Sequence, residues 1–408
     1  MNCRFCNNTL TQEFVDLGFS PTSNAYLKAS DLNRPETFFP LRIMVCEKCF
    51  LVQIDEFAKH DDIFNADYAY FSSFSTSWLA HAKAYTQMMI KRFGFNAQSQ
   101  VIEIASNDGY LLQYFKEQGV PVLGIEPTAN TAAAAKDKGI ESVIDFFGVR
   151  LANSLAAKGT KADLLLGNNV LAHVPDINDF VKGLKILLNP KGIITFEFPH
   201  LLQLIDKNQF DTIYHEHFSY LSLIAVKQIF EYHGLNIFDV EEVATHGGSL
   251  RIFANHAEDD TKIISDCVAA MLKKEIKFGL NDLAIYKTYQ QKAEKVKNDF
   301  TLFLIQAKND GKKVAGYGAA AKGNTLLNFA GTKKDLLLFV ADASPHKQNK
   351  FLPGVHIPVF DEQKIKTEKP DYVVILPWNL KEEISAQLAY IKEWGGKFVV
   401  AVPEIKIF

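Results

Sequence analysis

Val101-Ile102-Glu103-Ile104-Ala105-Ser106-Asn107-Asp108-Gly109 reads as a short buried strand running into a turn of small and polar residues. From about Tyr110 to Gln118 the pattern turns helical. A strand that delivers small residues into a strand-to-helix turn lets a ligand approach the backbone, which is how open parallel sheets hold nucleotides. The turn lacks GxGxxG, because Ala105 stands at the first glycine position. It also carries Asp108, an acid that suits a cationic or zwitterionic ligand better than a pyrophosphate.

Working outward, the pattern repeats. Val122-Leu123-Gly124-Ile125 is a second strand ending in Glu126-Pro127, and that acid lies 17 residues beyond Gly109, near the spacing at which a carboxylate grips ribose hydroxyls. Val143-Ile144 ends in Asp145-Phe146-Phe147, an acid beside aromatics that suits an adenine ring and its amine. Leu164-Leu165-Leu166-Gly167 ends in Asn168-Asn169 and leads to His173, and Gly192 to Glu197 forms a fifth strand. Alternating strands and helices with polar strand ends give a doubly wound parallel α/β sheet. The expected ligand is S-adenosylmethionine rather than NAD, held by Glu103, Ala105, Ser106, Asn107, Asp108, Gly109, Glu126, Pro127, Asp145, Phe146, Asn168 and Asn169.

At the N-terminus, Cys3-x-x-Cys6 and Cys46-x-x-Cys49 are two knuckle pairs 39 residues apart. Together they predict a closed four-cysteine zinc site that folds its segment and leaves no position open for chemistry. A nucleic-acid-binding zinc ribbon would need a Lys/Arg stripe, and this segment has none. The dense aromatics around Tyr68, Tyr70 and Phe71 suit a lid over a pocket or, equally, a packed surface turn.

After the fifth strand comes Ile213-Tyr214-His215-Glu216-His217-Phe218-Ser219-Tyr220, where two histidines, a carboxylate and two tyrosines offer acid–base chemistry. His246-Gly247-Gly248-Ser249-Leu250-Arg251 suits a turn near ligand or a tight β-turn with a surface arginine. From about Asp259 to Asn309 the chain reads as a charged helical connector, with Cys267 as buried packing. Lys313 to Gly318 then opens a second Rossmann-like sheet with a glycine turn, and further strands are read at Leu336–Val340, Val373–Leu376 and Phe398–Ala401. Its turn lacks the third glycine of an NAD site. Tyr317, Lys322, Asn324, Lys347 and Trp378 are the candidates to hold a diphosphate and stack on a base or sugar.

The formal net charge is 44 − 47 = −3, which argues against a general nucleic-acid or membrane-surface binder. No apolar run reaches the length of a membrane span, and the first residues show no signal-peptide pattern. Paired CxxC knuckles fit a reducing cytoplasm better than a disulfide framework. The expected division is residues 1–75 for the zinc-binding domain and lid, 76–255 for the S-adenosylmethionine domain, 256–310 for the connector and 311–408 for the second Rossmann-like domain.

The two knuckles, Tyr68-Ala69-Tyr70-Phe71-Ser72-Ser73, Glu103 to Gly109, Ile213 to Phe218, His246 to Arg251 and Gly316-Tyr317-Gly318-Ala319-Ala320-Ala321-Lys322 resemble, in order and over essentially the whole chain, the sugar C-methyltransferases of deoxysugar biosynthesis. The resemblance implies a zinc-binding N-terminal domain, a central class I methyltransferase domain and a C-terminal Rossmann-like domain that helps hold a nucleotide-sugar. The implied reaction is S-adenosylmethionine-dependent methylation at C3 of a nucleotide-linked 4-keto-6-deoxysugar, often thymidine-diphosphate-linked. It further implies His217 as the base, with Glu216 or Tyr214 orienting it, and Tyr68, Tyr70 and His173 as groups around the enolate. Ala105 departs from the family's usual glycine, and Phe71 stands where some members carry a histidine. The competing readings are an O- or N-methyltransferase, which needs no carbon-acid base, and a zinc-containing nucleic-acid-binding regulator. His173 taken alone also reads as a satisfied core histidine.

Overall fold

A computed structural model describes residues 1–57 and 71–408. Tyr68 and Tyr70 lie outside the described residues. The N-terminal segment forms β1 (Gln12–Ser20), β2 (Phe39–Val45) and β3 (Val52–Ile54), paired antiparallel in sequence order. Irregular registers at Glu13/Val15 and Asp16/Phe19 bend β1.

The central sheet contains β4 (Val101–Ile104), β5 (Val122–Ile125), β6 (Ser142–Val143), β7 (Ala162–Asn168) and β8 (Leu188–Pro199). A short strand β9 (Ser219–Tyr220) leaves this domain and pairs with β3, so Val52 faces Tyr220 and Gln53 faces Ser219. The hairpin β10 (Leu235–Val243) and β11 (Ser249–His256) completes a seven-stranded sheet in the order β10-β11-β8-β7-β4-β5-β6. Strands β4 to β8 are parallel, while β11 runs antiparallel to β8. Sheet order reverses between β4 and β7, and the carboxyl ends of those strands open the crevice where such sheets bind ligands.

Local chemistry sets the helices around this crevice. Thr76–Phe93 begins at Ser75, whose hydroxyl accepts from the Trp78 amide, and ends at Gly94 with φ +74°. Ile177–Leu187 begins at Asp176, whose carboxylate accepts from the Asn178 and Asp179 amides and suits the positive helix end. The connector is three helices, Asp266–Phe278, Leu283–Lys287 and Tyr289–Asn309. It is a structural bridge, since Phe14 of β1 stacks on Tyr289 at 4.6 Å. Cys267 is exposed, not buried packing, because it follows the Ser265 cap on the solvent side of the first turn.

The C-terminal sheet has β12 (Val314–Tyr317), β13 (Val340–Ala341), β14 (Val359–Phe360), β15 (Tyr372–Ile375), β16 (Lys397–Val400) and β17 (Lys406–Ile407), ordered β14-β13-β12-β15-β16-β17. All pairings but the last are parallel. The strand expected from Leu336 is shorter than read, because the Leu336 and Leu337 amides both turn back to the Lys333 carbonyl. The apolar run there records burial, not extension.

The four-thiol cluster, the seven-stranded α/β sheet and the second Rossmann-like sheet make this the three-part α/β architecture expected. Among the described residues, no helix is long and apolar enough to cross a membrane.

Candidate active site

The thiolate atoms of Cys3, Cys6, Cys46 and Cys49 all lie within 4.8 Å of one another. Cys3 and Cys49 sulfurs are 3.6 Å apart and those of Cys6 and Cys46 3.5 Å, far beyond a bonded pair. A tetrahedron with Zn–S arms of ~2.3 Å has edges of ~3.8 Å, so the four thiols fit one zinc ion with little movement. Arg4, between two of the ligands, ties this clip to the crevice. Its guanidinium donates to the Pro175 carbonyl at 2.6 Å and to the Ile54 carbonyl, and it lies over the Phe218 ring at 5.4 Å. In return the Asn178 amide donates to the carbonyls of Arg4 and Phe5 at 3.0 Å.

The crevice is a cavity of about 590 Å³ with walls from all three domains. One end is the expected cofactor site. Glu126 is buried there, accepting from the Asn107 amide at 2.9 Å and from Thr128 at its other oxygen. Ala105, Asn107, Pro127, Asp145, Phe146, Asn168 and Asn169 line the same space. Asp145 is held by Arg150 at 2.6 and 2.7 Å, so it presents an ion pair to the cavity rather than the bare acid expected.

Glu103, Ser106, Asp108 and Gly109 do not line the cavity. Burial drives the Glu103 carboxyl pKa well above its usual range, against the pull of Tyr110. Asp108 is turned to Lys138, 3.3 Å away, instead of facing a cationic ligand. Gly109 serves packing: a Cβ there would lie 2.6 Å from Ile140. Ala105 has φ +55°, a left-handed conformation that costs an L-residue of order 1 kcal/mol. Ala105→Gly is therefore expected to raise stability slightly, by up to ~1 kcal/mol less the extra entropy of an unfolded glycine, in urea titrations.

The other end holds Tyr214, Glu216, His217 and His173. The turn Phe210–Thr212 presents the Thr212 carbonyl to His217 Nδ1 at 2.8 Å, and the Tyr214 hydroxyl lies 2.9 Å from Nε2. A carbonyl only accepts, so Nδ1 carries the proton, and Tyr214 donates to the bare Nε2. Burial, then the neighbouring His173, hold the His217 pKa well below the usual range, so the ring is neutral at physiological pH. The rings of His173 and His217 are 4.6 Å apart, and burial lowers His173 to about 4.

Glu216 does not orient His217. It accepts from Asn24 at 2.7 Å, and burial raises its pKa to about 7. Folded protein thus keeps a proton on Glu216 between pH 4.5 and about 7 that the unfolded chain releases, so this group's contribution to stability falls as pH rises through that window. Glu216→Gln is expected to flatten that slope, worth on the order of 3 kcal/mol, in denaturation at pH 5 against pH 8.

Two side chains that the sequence reading left out belong to the site. Asn24 was invisible because its partner is 192 residues away. His246, read only as part of a glycine turn, has φ +53° and reaches Asn169 at 2.6 Å. Arg251 after that turn is not on the surface: it is buried against Glu197 at 2.8 Å and Glu241 at 2.9 Å. From the C-terminal domain, Lys322 and Lys347 line the cavity, while Tyr317, Asn324 and Trp378 do not. Tyr317 is bonded to Glu362, Asn324 donates to the Ser23 carbonyl at 2.7 Å, and Trp378 donates to Asp211 at 2.8 Å.

Residues 3–64 match a zinc binding domain family, 78–240 a methyltransferase domain family and 244–403 the C-methyltransferase C-terminal domain family. C-methyltransferase NovU of Streptomyces niveus is 34% identical over 405 residues, covering 99% of this chain and 96% of that one. The chain belongs to the C-methyltransferase family. As a C-methyltransferase it uses S-adenosylmethionine, and its four-thiol clip is a structural zinc site. Other relatives match a smaller share of the chain. A ubiquinone biosynthesis O-methyltransferase of Bartonella bacilliformis is 25% identical over 126 residues, 30% of this chain and 51% of that one. The magnesium protoporphyrin IX methyltransferase of Synechocystis PCC 6803 superposes with TM-score 0.33 at 15% identity, over 43% of this chain and 78% of that one.

Proposed function

We propose that this C-methyltransferase adds a methyl group to C3 of a nucleotide-linked 4-keto-6-deoxysugar, a thymidine-diphosphate sugar being the first substrate to try. The observation that carries this reading is the neutral His217–Tyr214 pair in one cavity with Glu126 and two lysines of the second Rossmann-like domain. A carbon beside a ketone must lose a proton before it can attack a methyl group, and transfer to oxygen or nitrogen needs no such carbon-acid step.

In this reading S-adenosylmethionine supplies an electrophilic methyl on a sulfonium. The chain's residues do the rest. Glu126 and the Asn107 turn hold the nucleoside end, and Phe146 with the Asp145–Arg150 pair borders it. The C3–H bond breaks with its proton passing to His217 Nε2, by way of the Tyr214 oxygen that occupies that nitrogen's lone pair. The enolate's electron pair then forms the C3–CH3 bond as the S–CH3 bond breaks, and the neutral thioether leaves. Lys347, bonded to the Ala319 carbonyl at the glycine turn and 3.7 Å from Asp342, is the candidate for the diphosphate. Tyr68 and Tyr70 remain candidates for the lid on the same resemblance, and a small-molecule partner in a reducing cytoplasm completes the reading.

The test is solvent-deuterium incorporation at the sugar carbon without S-adenosylmethionine, followed by methyl transfer with it. Methylation at an oxygen or nitrogen with no exchange would overturn the proposal.

A further inference from the structure

We propose that Lys322 is a catalytic residue, its ammonium neutralising the enolate oxygen at the reacting centre, with Asp211, Trp378 and Asn379 as its positioning residues. The inference rests on the ketosugar reading above and changes the task first assigned to this lysine, holding a diphosphate.

Two lysines reach the cavity from the C-terminal domain, and their settings differ. Lys347 is bonded to the glycine turn beside Asp342. Lys322, on the first turn of the helix Ala321–Phe329, points elsewhere. Its ammonium donates to Asn379 Oδ1 at 2.7 Å and lies over the Trp378 indole at 4.7 Å. The indole N–H in turn donates to Asp211 Oδ2 at 2.8 Å. Asp211 belongs to the same short turn whose next residue, Thr212, fixes the His217 ring. On the far side, Gly247 packs so tightly on Trp378 that a Cβ would come within 2.4 Å of the ring, which joins the indole to the His246 turn. One assembly of hydrogen bonds and a cation–π contact therefore sets both the lysine and the base, from two domains.

The chemistry rewards such a cation, because positive charge at the developing oxyanion stabilises the transition state. When the C3–H bond breaks and the proton goes to the Tyr214–His217 pair, the electron pair forms C3=C4 and the ketone oxygen takes a full negative charge. When C3 attacks the methyl, the C3=C4 pair becomes the C3–CH3 bond, a pair on the oxygen re-forms C=O, the S–CH3 pair stays on the sulfur, and the oxyanion charge is gone. His173, His217 and His246 are all kept neutral, first by burial and in the last two also by the nearby Lys322. None of the three supplies positive charge at neutral pH. Burial also lowers the Lys322 pKa, and the Asp211 carboxylate opposes that loss.

The experiment compares Lys322→Met and Lys322→Arg in the full-length zinc-loaded enzyme. Readouts are solvent-deuterium exchange into a thymidine-diphosphate 4-keto-6-deoxyhexose without S-adenosylmethionine, kcat and KM with it, and thymidine diphosphate affinity by calorimetry. Lys322→Met is expected to lower exchange and kcat about 100-fold, with KM and diphosphate affinity within about threefold. Lys322→Arg should recover part of the exchange. Asp211→Asn should add an alkaline limb to the exchange rate, because Lys322 then loses its proton at lower pH. Loss of diphosphate affinity with exchange intact at saturation would make Lys322 a phosphate ligand and overturn the proposal. Absence of exchange in the unaltered enzyme would instead overturn the ketosugar reading on which this one stands.

Discussion

His217→Asn is expected to abolish solvent-deuterium exchange at the sugar carbon and to lower methyl transfer by about 100- to 10,000-fold, the usual worth of a positioned general base. Affinity for S-adenosylhomocysteine should stay unchanged, because no cofactor-end group depends on this ring: Glu126 and Asn107 are bonded to each other across the first turn. Tyr214→Phe separates two routes. Its hydroxyl donates to Nε2 at 2.9 Å, so a proton reaches the histidine most directly through that oxygen. Loss of the hydroxyl should then cost nearly as much as loss of the ring, and the double variant little more than either. A Tyr214→Phe enzyme with full exchange would mean that His217 takes the proton unaided. Because the His217 pKa lies well below the usual range, the exchange rate should be flat through neutral pH and fall only in acid. Full exchange in His217→Asn would remove this residue from the role of base.

Much of this site was legible because the sequence carries chemistry in compact runs at strand ends. Glu126, Asn168 and Asn169 follow strands whose period and apolar character are plain, so their arrival at one crevice follows from sheet topology. The reading failed where direction mattered. Asp108 and Gly109 sit on the right turn, yet a turn sends alternate residues inward, and these two meet Lys138 and Ile140 instead of ligand. Trp378 looked like a stacking platform, but Asp211, 167 residues earlier, captures its N–H. Asn24 and Arg4 left no local trace at all, since their partners lie far along the chain, at Glu216 for one and at Ile54 and Pro175 for the other. What the sequence concealed was the joining of domains: β9 leaves the methyltransferase sheet to pair with the zinc-binding sheet two residues after His217. The stretch that carries Tyr214 and His217 is thus pinned at one end by a different domain from the one that contains it.

That joining makes the zinc clip matter to a cavity it does not line. Zinc bound to four thiolates contributes roughly 10–16 kcal/mol of folding energy in small zinc domains, and an emptied clip loses the constraint that aims Arg4. Arg4 holds the Pro175 carbonyl at 2.6 Å, and Asn178 holds the knuckle's backbone in return. Between them lies Asp176, which caps the helix Ile177–Leu187 and borders the cavity. Stripping the metal with a strong chelator is therefore expected to lower the melting temperature by more than 10 °C and to weaken S-adenosylhomocysteine binding at least tenfold, by calorimetry on protein of measured zinc content. Arg4→Met separates the two effects. It spares all four ligands, so zinc content should remain full, but it removes the two carbonyl bonds and the contact over Phe218. The free carbonyls of Pro175 and Ile54 cost about 1–3 kcal/mol each if they stay buried, so most of the tenfold loss should persist with zinc in place. Unchanged cofactor affinity in both the stripped protein and Arg4→Met would mean that the clip stabilises its own segment alone. Loss in the stripped protein only would assign the coupling to the sheet pairing of β3 with β9 rather than to Arg4.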